Sequence, residues 1–286
     1  MAFFITQTIN GIVFGVLLFI LAAGLTLMLG TMRIVNLAHG SYYLLGGYIG
    51  FSIAKETNNF FLACLGGLFA IGILGMGTYK AILSKHFARG VLSQVLITFG
   101  MFLIITDLCR WIWGGIPLAI PRPELLQGSI SISNIVLPAY RLAVILIGVM
   151  ITVFLWWFHE RTKYGAIVRA GVDDEEMTQS IGINISLVKT LVFSIGALLA
   201  GFAGVVGGPY VGLYTGLGMD ILLLALVVVI IGGMGSLWGA LIGALFIGLL
   251  DSFGKSLLPE FSLFTMFAAM VIVLAIKPNG LFGARG

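Results

Sequence analysis

Long apolar runs, separated by short polar or glycine-rich breaks, make up most of this chain. A helix needs about 20 mainly apolar residues to cross a bilayer. Runs at roughly 5–30, 41–54, 60–80, 91–113, 140–158, 184–206, 220–234, 236–254 and 262–276 reach or approach that length. The pattern predicts an all-α integral membrane protein: a polytopic helical bundle of 8–9 membrane segments, forming one domain over residues 1–286. Runs 41–54 and 220–234 are too short to cross unaided, and glycine clusters flank them at Gly30–Gly40 and Gly232–Gly239. Short, glycine-interrupted apolar segments mark broken or re-entrant helices beside a polar path.

Composition narrows the class further. Apolar residues make up 60% of the 286 positions and charged residues 9%, against about 25% charged in an ordinary soluble domain. Such a surface cannot be kept in water, which excludes a soluble enzyme, a nucleic-acid binder and a disordered chain. With 40 glycines, a closely packed helical bundle is favoured over a β-barrel. The run from Ile12 to Leu29 is too long for a cleavable leader and reads as a first span that stays. Cys64 and Cys109 sit in or beside apolar runs and read as buried thiols.

Charge sets the orientation. Lys80, Lys85, Arg89, Arg161, Lys163, Arg169, Lys189, Lys277 and Arg285 fall on one side if the segments alternate. Lys55, Arg110, Arg122, Arg141 and Lys255 fall on the other. The positive-inside rule places the first set, and with it the C-terminus, in the cytoplasm. The outer side then holds a long connection at about 114–138, broken by Pro117, Pro121, Pro123 and Pro138. Trp111, Trp113, Trp156 and Trp157 stand at span ends and read as interfacial anchors.

The longest cytoplasmic stretch, about 159–183, contains Asp173, Asp174, Glu175 and Glu176 in succession. One central Asp costs ~2.5–3.5 kcal/mol in a membrane helix, so this quartet lies outside the bilayer. With few helix breakers between Ala166 and Ser180, the stretch reads as one short helix or a pair on the membrane surface. Its length exceeds what a connection needs, which suggests docking of a soluble partner.

Chemistry inside the spans is sparse. Asp107, Asp220 and Asp251 fall near span ends, and nothing in their spacing builds a catalytic pair. No phosphate-cradling Gly-x-x-x-x-Gly-Lys-Ser/Thr loop exists, so any ATP-driven step belongs to a separate subunit. The first break carries Arg33, Asn36, His39, Gly40 and Ser41. These residues either satisfy the broken backbone or face a substrate path. The second break, Gly232, Gly233, Gly235 and Ser236, has no ionisable group and reads chiefly as close packing.

Five motifs in order resemble one family. Arg33, Asn36, Ala38, His39 and Gly40 match an Arg-x-x-Asn-x-Ala-His-Gly signature. They are followed by Arg161, Thr162, Gly165, Arg169 and Ala170, then by AGFAGVVGG at 200–208 and GGMGSLWGA at 232–240. The closing motif is Lys277-Pro278-x-Gly280-Leu281-Phe282-Gly283. Together they resemble the shorter, LivH-like permease of branched-chain amino-acid ABC importers, from about Gly24 to Gly283.

The resemblance implies a bacterial inner-membrane importer with a second homologous permease and a periplasmic substrate-binding protein. Two cytoplasmic ATPase subunits would hold ATP and Mg; no cofactor belongs to this chain, and no nucleic acid is a partner. Arg161, Gly165, Arg169, Asp173, Asp174, Glu175, Glu176 and Gly182 would then couple to the ATPases. The translocation path would run past Arg33, Asn36, His39, Gly40, Ser41, Gly232, Gly233, Gly235 and Ser236. Three departures bear on cargo and coupling. Ser41 stands where many relatives carry an acid, Glu175 where a base is frequent, and Trp238 where amino-acid permeases often have Pro. The same architecture carrying urea, short amides or aromatic acids is the alternative, with a passive channel behind it.

Overall fold

The structure is a computed structural model that describes residues 2–32, 34–86, 90–132, 135–173 and 175–283. Helix α1 spans Ala2–Met32 and α2 spans His39–Thr57. Helix α3 runs Phe60–Thr78 and continues through a π-helical turn to His86. Then come α4 (Val91–Trp113), α5 (Ala139–Arg161), and the short α6 (Lys163–Asp173) and α7 (Glu175–Ser180). The chain ends with α8 (Ile185–Val211), α9 (Leu217–Gly232), α10 (Leu237–Leu257) and α11 (Ser262–Ile276).

Seven of these helices are long and apolar enough to cross a bilayer: α1, α3, α4, α5, α8, α10, and α11 with its 3-10 lead-in. The expected 8–9 segments are not all of that kind. Helix α2 has the length but carries His39, three tyrosines, Lys55 and Glu56 among its 19 residues. Helix α9 is apolar but has only 16 residues, about 24 Å at 1.5 Å per residue.

Helix ends follow local chemistry. Asn59 caps α3, its Oδ1 accepting from the Phe61 and Leu62 amides at 2.9 and 3.1 Å. Asn184 does the same for α8 through Leu187 N–H, and Ser236 for α10 through Gly239 N–H. Each satisfies amides that a helix start leaves unpaired.

Helix α1 is the central post. It packs against α5, α6, α8, α9 and α10, while α2 packs against α3, α4, α8 and α9. Lipid tails are as apolar as Leu, so association rests on close packing rather than the hydrophobic effect. Glycines supply it. A Cβ at Gly11 would lie 2.8 Å from the Leu249 Cα, and one at Gly24 would lie 2.7 Å from the Gly196 carbonyl oxygen. A Cβ at Gly204 would collide with the Tyr43 carbonyl oxygen. Helices α3, α4, α5 and α11 keep exposed Phe, Leu and Ile side chains on their outer sides.

The long connection at 114–138 is more ordered than its prolines suggest. It holds a 3-10 turn at Glu124–Leu126 and a hairpin of β1 (Ser129–Ile132) antiparallel to β2 (Ile135–Pro138). The Ser-Ile-Ser-Ile alternation of β1 is a strand pattern. Leu118 and Leu213 exchange backbone hydrogen bonds of 2.8 and 2.7 Å, which pins this connection to the α8–α9 turn. Trp113 is no simple interfacial anchor: it stacks on Tyr48 at 5.1 Å and donates to Ser52 Oγ at 2.7 Å. Trp111, 84% exposed, keeps the anchoring role open. Cys64 and Cys109 are free and buried.

Close glycine packing gives a paired prediction. Gly204→Ala is expected to lower stability by about 1–3 kcal/mol, the range for overpacking. Gly77→Ala, with nothing within 4 Å of its new Cβ, is expected to leave stability unchanged or raise it by up to about 1 kcal/mol. Melting of the two purified variants in detergent checks both.

Candidate functional site

At the first break the chain doubles back along α1. That helix ends at Met32, yet His39 Nε2 lies 3.0 Å from the Leu21 carbonyl oxygen. Leu21 is 11 residues before Met32, about 16 Å at 1.5 Å per residue. Asn36 is buried beside Met28, and its Oδ1 accepts from Ala38 N–H at 3.1 Å. Ser41 Oγ donates to the Ala38 carbonyl at 2.8 Å. Thr98 of α4 accepts from Leu37 N–H at 3.2 Å. Each is a means of satisfying backbone groups outside a helix. Facing a carbonyl, His39 Nε2 carries the proton and donates; Nδ1, buried, has no hydrogen-bond partner among the described residues. Gly40 lies so close to the Gly218 carbonyl that no side chain fits. Arg33 lies outside the described residues.

The second break meets the first. A Cβ at Gly30 would lie 2.6 Å from the Gly235 Cα. Helix α9 ends at Gly232, and the turn uses Gly233 at φ +98° and Gly235 at φ +85°, where side chains are strained. The carbonyls at the end of a helix lack intrahelical partners. Here the closing segment supplies two: Leu281 N–H donates to Ile231 O at 2.8 Å, and Phe282 N–H to Gly232 O at 3.0 Å. Gly280, at φ +80°, would place a Cβ 2.6 Å from the Gly233 nitrogen. Two motifs almost fifty residues apart therefore form one joint. No periodicity links them, so sequence reading of either alone misses it.

The charged stretch forms the two short helices α6 and α7 below α5. The pair was one of the two forms expected. Gly165 sits against the Phe158 and His159 carbonyls, too close for a side chain, and its N–H donates to Thr162 Oγ1 at 3.1 Å. Arg161 lies over the Trp156 ring at 5.8 Å. Gly182 ends the stretch at φ +88°, its N–H donating to the Gln179 carbonyl at 2.9 Å. Asp173 closes α6, and Glu175 and Glu176 open α7. Asp174 lies outside the described residues. Arg169 is partly buried rather than fully on the surface. It lines a cavity of about 310 Å³ together with Thr26, Thr31, His159, Gly235 and Ser236. The stretch and the second break thus share one wall.

At the opposite end of α1 lies a polar cluster that the sequence reading does not assemble: it has Asp251 as a span-end acid, and Arg141 and Lys255 only as outer-side charges. A cavity of about 450 Å³ is bordered by Asn10, Arg141, Tyr210, Asp251, Ser252 and Lys255. Asp251, buried one turn and a half inside α10, pairs with Lys255 at 2.9 Å. Arg141 donates to Asn10 Oδ1, and Ser252 Oγ donates to the Gln7 side-chain oxygen at 2.8 Å. The Asp251–Lys255 spacing of four is the available signal: it puts both on one helix face. Asp107 lies inside α4 and is exposed. Asp220, in the first turn of α9, accepts from Tyr214 Oη at 2.7 Å. Burial, helped by that carboxylate, pushes the Tyr214 hydroxyl up to about 12, so it stays protonated and donates.

A helical membrane chain with its glycine joints and a paired helical appendage matches a known family along most of its length. Residues 7–276 match the model of the branched-chain amino acid transport system permease component. The chain belongs to that permease family. Among relatives, it is 26% identical over 234 residues to the high-affinity branched-chain amino acid permease LivH of Salmonella typhimurium, covering 75% of this chain and 76% of that one. It is 25% identical over 228 residues to BraD of Pseudomonas aeruginosa, covering 73% and 72%. The ribose import permease RbsC of Escherichia coli is 27% identical over 203 residues, covering 65% and 56%. In fold, this permease resembles PsaBC from Streptococcus pneumoniae solved with a Fab, with a TM-score of 0.50 at 13% identity, covering 94% and 91%.

The joint of the second break is open to direct test. Gly233→Ala is expected to speed hydrogen exchange at the Leu281 and Phe282 amides by about tenfold or more, the effect of losing roughly 1.4 kcal/mol of local stability. Exchange unchanged at both amides would contradict the joint.

Proposed function

We propose that this chain is a permease subunit of an ATP-driven importer carrying branched-chain or other hydrophobic amino acids across the bacterial inner membrane. The observation that carries the reading is the appendage of α6 and α7, whose Arg169 lines one cavity with Gly235 and Ser236 of the second glycine break. A passive channel has no use for such a lever. In this reading α2 and α9 complete a set of nine membrane segments, α2 starting part-way up the bundle after a re-entrant break. The C-terminus is cytoplasmic.

Two ATPase subunits, binding ATP and Mg, dock on the 159–183 stretch through Arg161 and the acids at 173–176. A second, homologous permease packs on an exposed apolar side, and a periplasmic binding protein delivers cargo from outside. ATP closes the ATPases and so favours one orientation of the appendage. Such a drive works only through a difference in affinity between two states. The glycine joints at Gly40, Gly232, Gly233 and Gly235 pass the movement to the path bordered by Asn36, His39, Ser41 and Ser236.

The ribose permease among the relatives makes cargo the point to test. With all subunits in proteoliposomes, ATP-dependent uptake is expected for leucine and not for ribose, urea or an aromatic acid. Uptake of one of those instead keeps the machine and overturns the amino-acid reading; uptake of leucine without ATPases overturns the machine. Reversing Asp173 and Glu175 to Lys is expected to weaken co-purification of the ATPases about tenfold or more, the usual scale for several lost charge pairs at an interface.

A further inference from the structure

Two polar groups in the interior end of the bundle have nothing to bond to among the described residues. Thr26 is 1% exposed, and its Oγ1 has no hydrogen-bond partner among the described residues. The Arg169 Nη1 atom is likewise buried without a partner among the described residues. Both residues line the same cavity of about 310 Å³. Buried polar groups are almost always paired, so two orphans on residues that line one space call for a ligand. Both can donate, so the ligand must accept. The planar guanidinium fork suits a carboxylate. The N-terminus of α10, a helix of 21 residues opening at Leu237 after the Ser236 cap, also borders this space. Its dipole adds favourable potential for negative charge.

A second, apolar cavity adjoins this space. A cavity of about 280 Å³ shares His159, Gly235 and Ser236 with the first. Phe19, Leu155, Trp238 and Leu241 line it, and Glu160 stands at its rim. Cation and hydroxyl at one end, aromatic and aliphatic walls at the other, and a carboxylate beside them form a definite pattern. It fits a zwitterion with an apolar side chain.

We infer that the ends of α1, α6 and α10 around Arg169 form a binding site for an apolar amino acid. Its α-carboxylate meets Arg169 and Thr26, its ammonium meets Glu160, and its side chain lies against Phe19 and Trp238. The identity of the ligand rests on the amino-acid reading above; the site itself rests on the orphaned groups. It lies on the side of the coupling stretch, opposite the Asp251 cavity, and so takes cargo from or toward the cytoplasm.

Binding is measured on the assembled permease–ATPase complex in lipid nanodiscs, without nucleotide and without binding protein, using radiolabelled leucine. Leucine is expected to bind, and unlabelled leucinamide, which lacks the carboxylate, is expected not to displace it. Arg169→Gln should weaken binding about tenfold or more, the usual effect of losing a charge-assisted hydrogen bond. Thr26→Val should weaken it several-fold, and the exposed Lys85→Gln should leave it unchanged. Each variant is used only if its melting midpoint matches the parent. No leucine binding, or binding indifferent to both Arg169→Gln and Thr26→Val, overturns the site. Displacement by acetate or inorganic phosphate as effective as by leucine reduces it to an anion site and overturns the amino-acid assignment. Leucine uptake in proteoliposomes with no such binding leaves the proposed importer standing and removes only this site; uptake of another cargo alone removes the reading beneath it.

Discussion

Backbone must touch backbone for this bundle to hold. In lipid, apolar side chains gain little by leaving one another, so helices associate where their main chains come close enough for dense contact. Helix α1 does this along its length, through Gly11 and Gly15 against α10 and through Gly24 against α8. Helix α2 meets α8 where Gly204 lies on the Tyr43 carbonyl, and meets α9 where Gly40 lies on Gly218. Any side chain at these points separates two helices. The same constraint sends Phe, Leu and Ile outward on α3, α4, α5 and α11, where lipid or another apolar subunit can receive them.

A bundle knit this tightly transmits force well and bends only where helices are interrupted. The second interruption is tied down on three sides. Gly30 of α1 rests on Gly235, the closing segment bonds to the end of α9, and Arg169 of α6 reaches the same cavity wall. In the reading proposed above, a push on the appendage arrives at this turn. The first interruption is different in kind: buried Asn36, Ser41 and Thr98 hold it by hydrogen bonds within the bundle. One break is a joint on the surface of the bundle, and the other is a fixed bend inside it.

Helix positions were legible because each apolar run has ends marked by charge, proline or glycine. The run at 91–113 is α4 itself, the short run at 41–54 lies within α2, and the run at 220–234 overlaps α9 but runs two residues past its end at Gly232. What the runs do not carry is a face. When every side of a helix is apolar, periodicity no longer says which side is inside. That is why the α1–α10 contact, the Trp113–Tyr48 stack and the closing segment's bonds to α9 came only from the structure. The β1–β2 hairpin was missed for another reason: the prolines around it outweighed a short Ser-Ile alternation. Arg169 was placed in the right segment, but its direction was not legible, because an amphipathic helix of eleven residues can present an Arg to either neighbour.

The account depends on the appendage and the second break moving as one body. Spin labels at Tyr164 of α6, at Met234 in the break and at Trp111 at the end of α4 can report it, since these side chains are 66%, 69% and 84% exposed. Distances are measured by pulsed electron resonance on the complex with its ATPases, with and without ATP. The expected result is a Tyr164–Met234 distance that stays fixed while the Met234–Trp111 distance shifts. A Tyr164 label that moves with ATP while Met234 holds its distance to Trp111 would contradict the coupling described here.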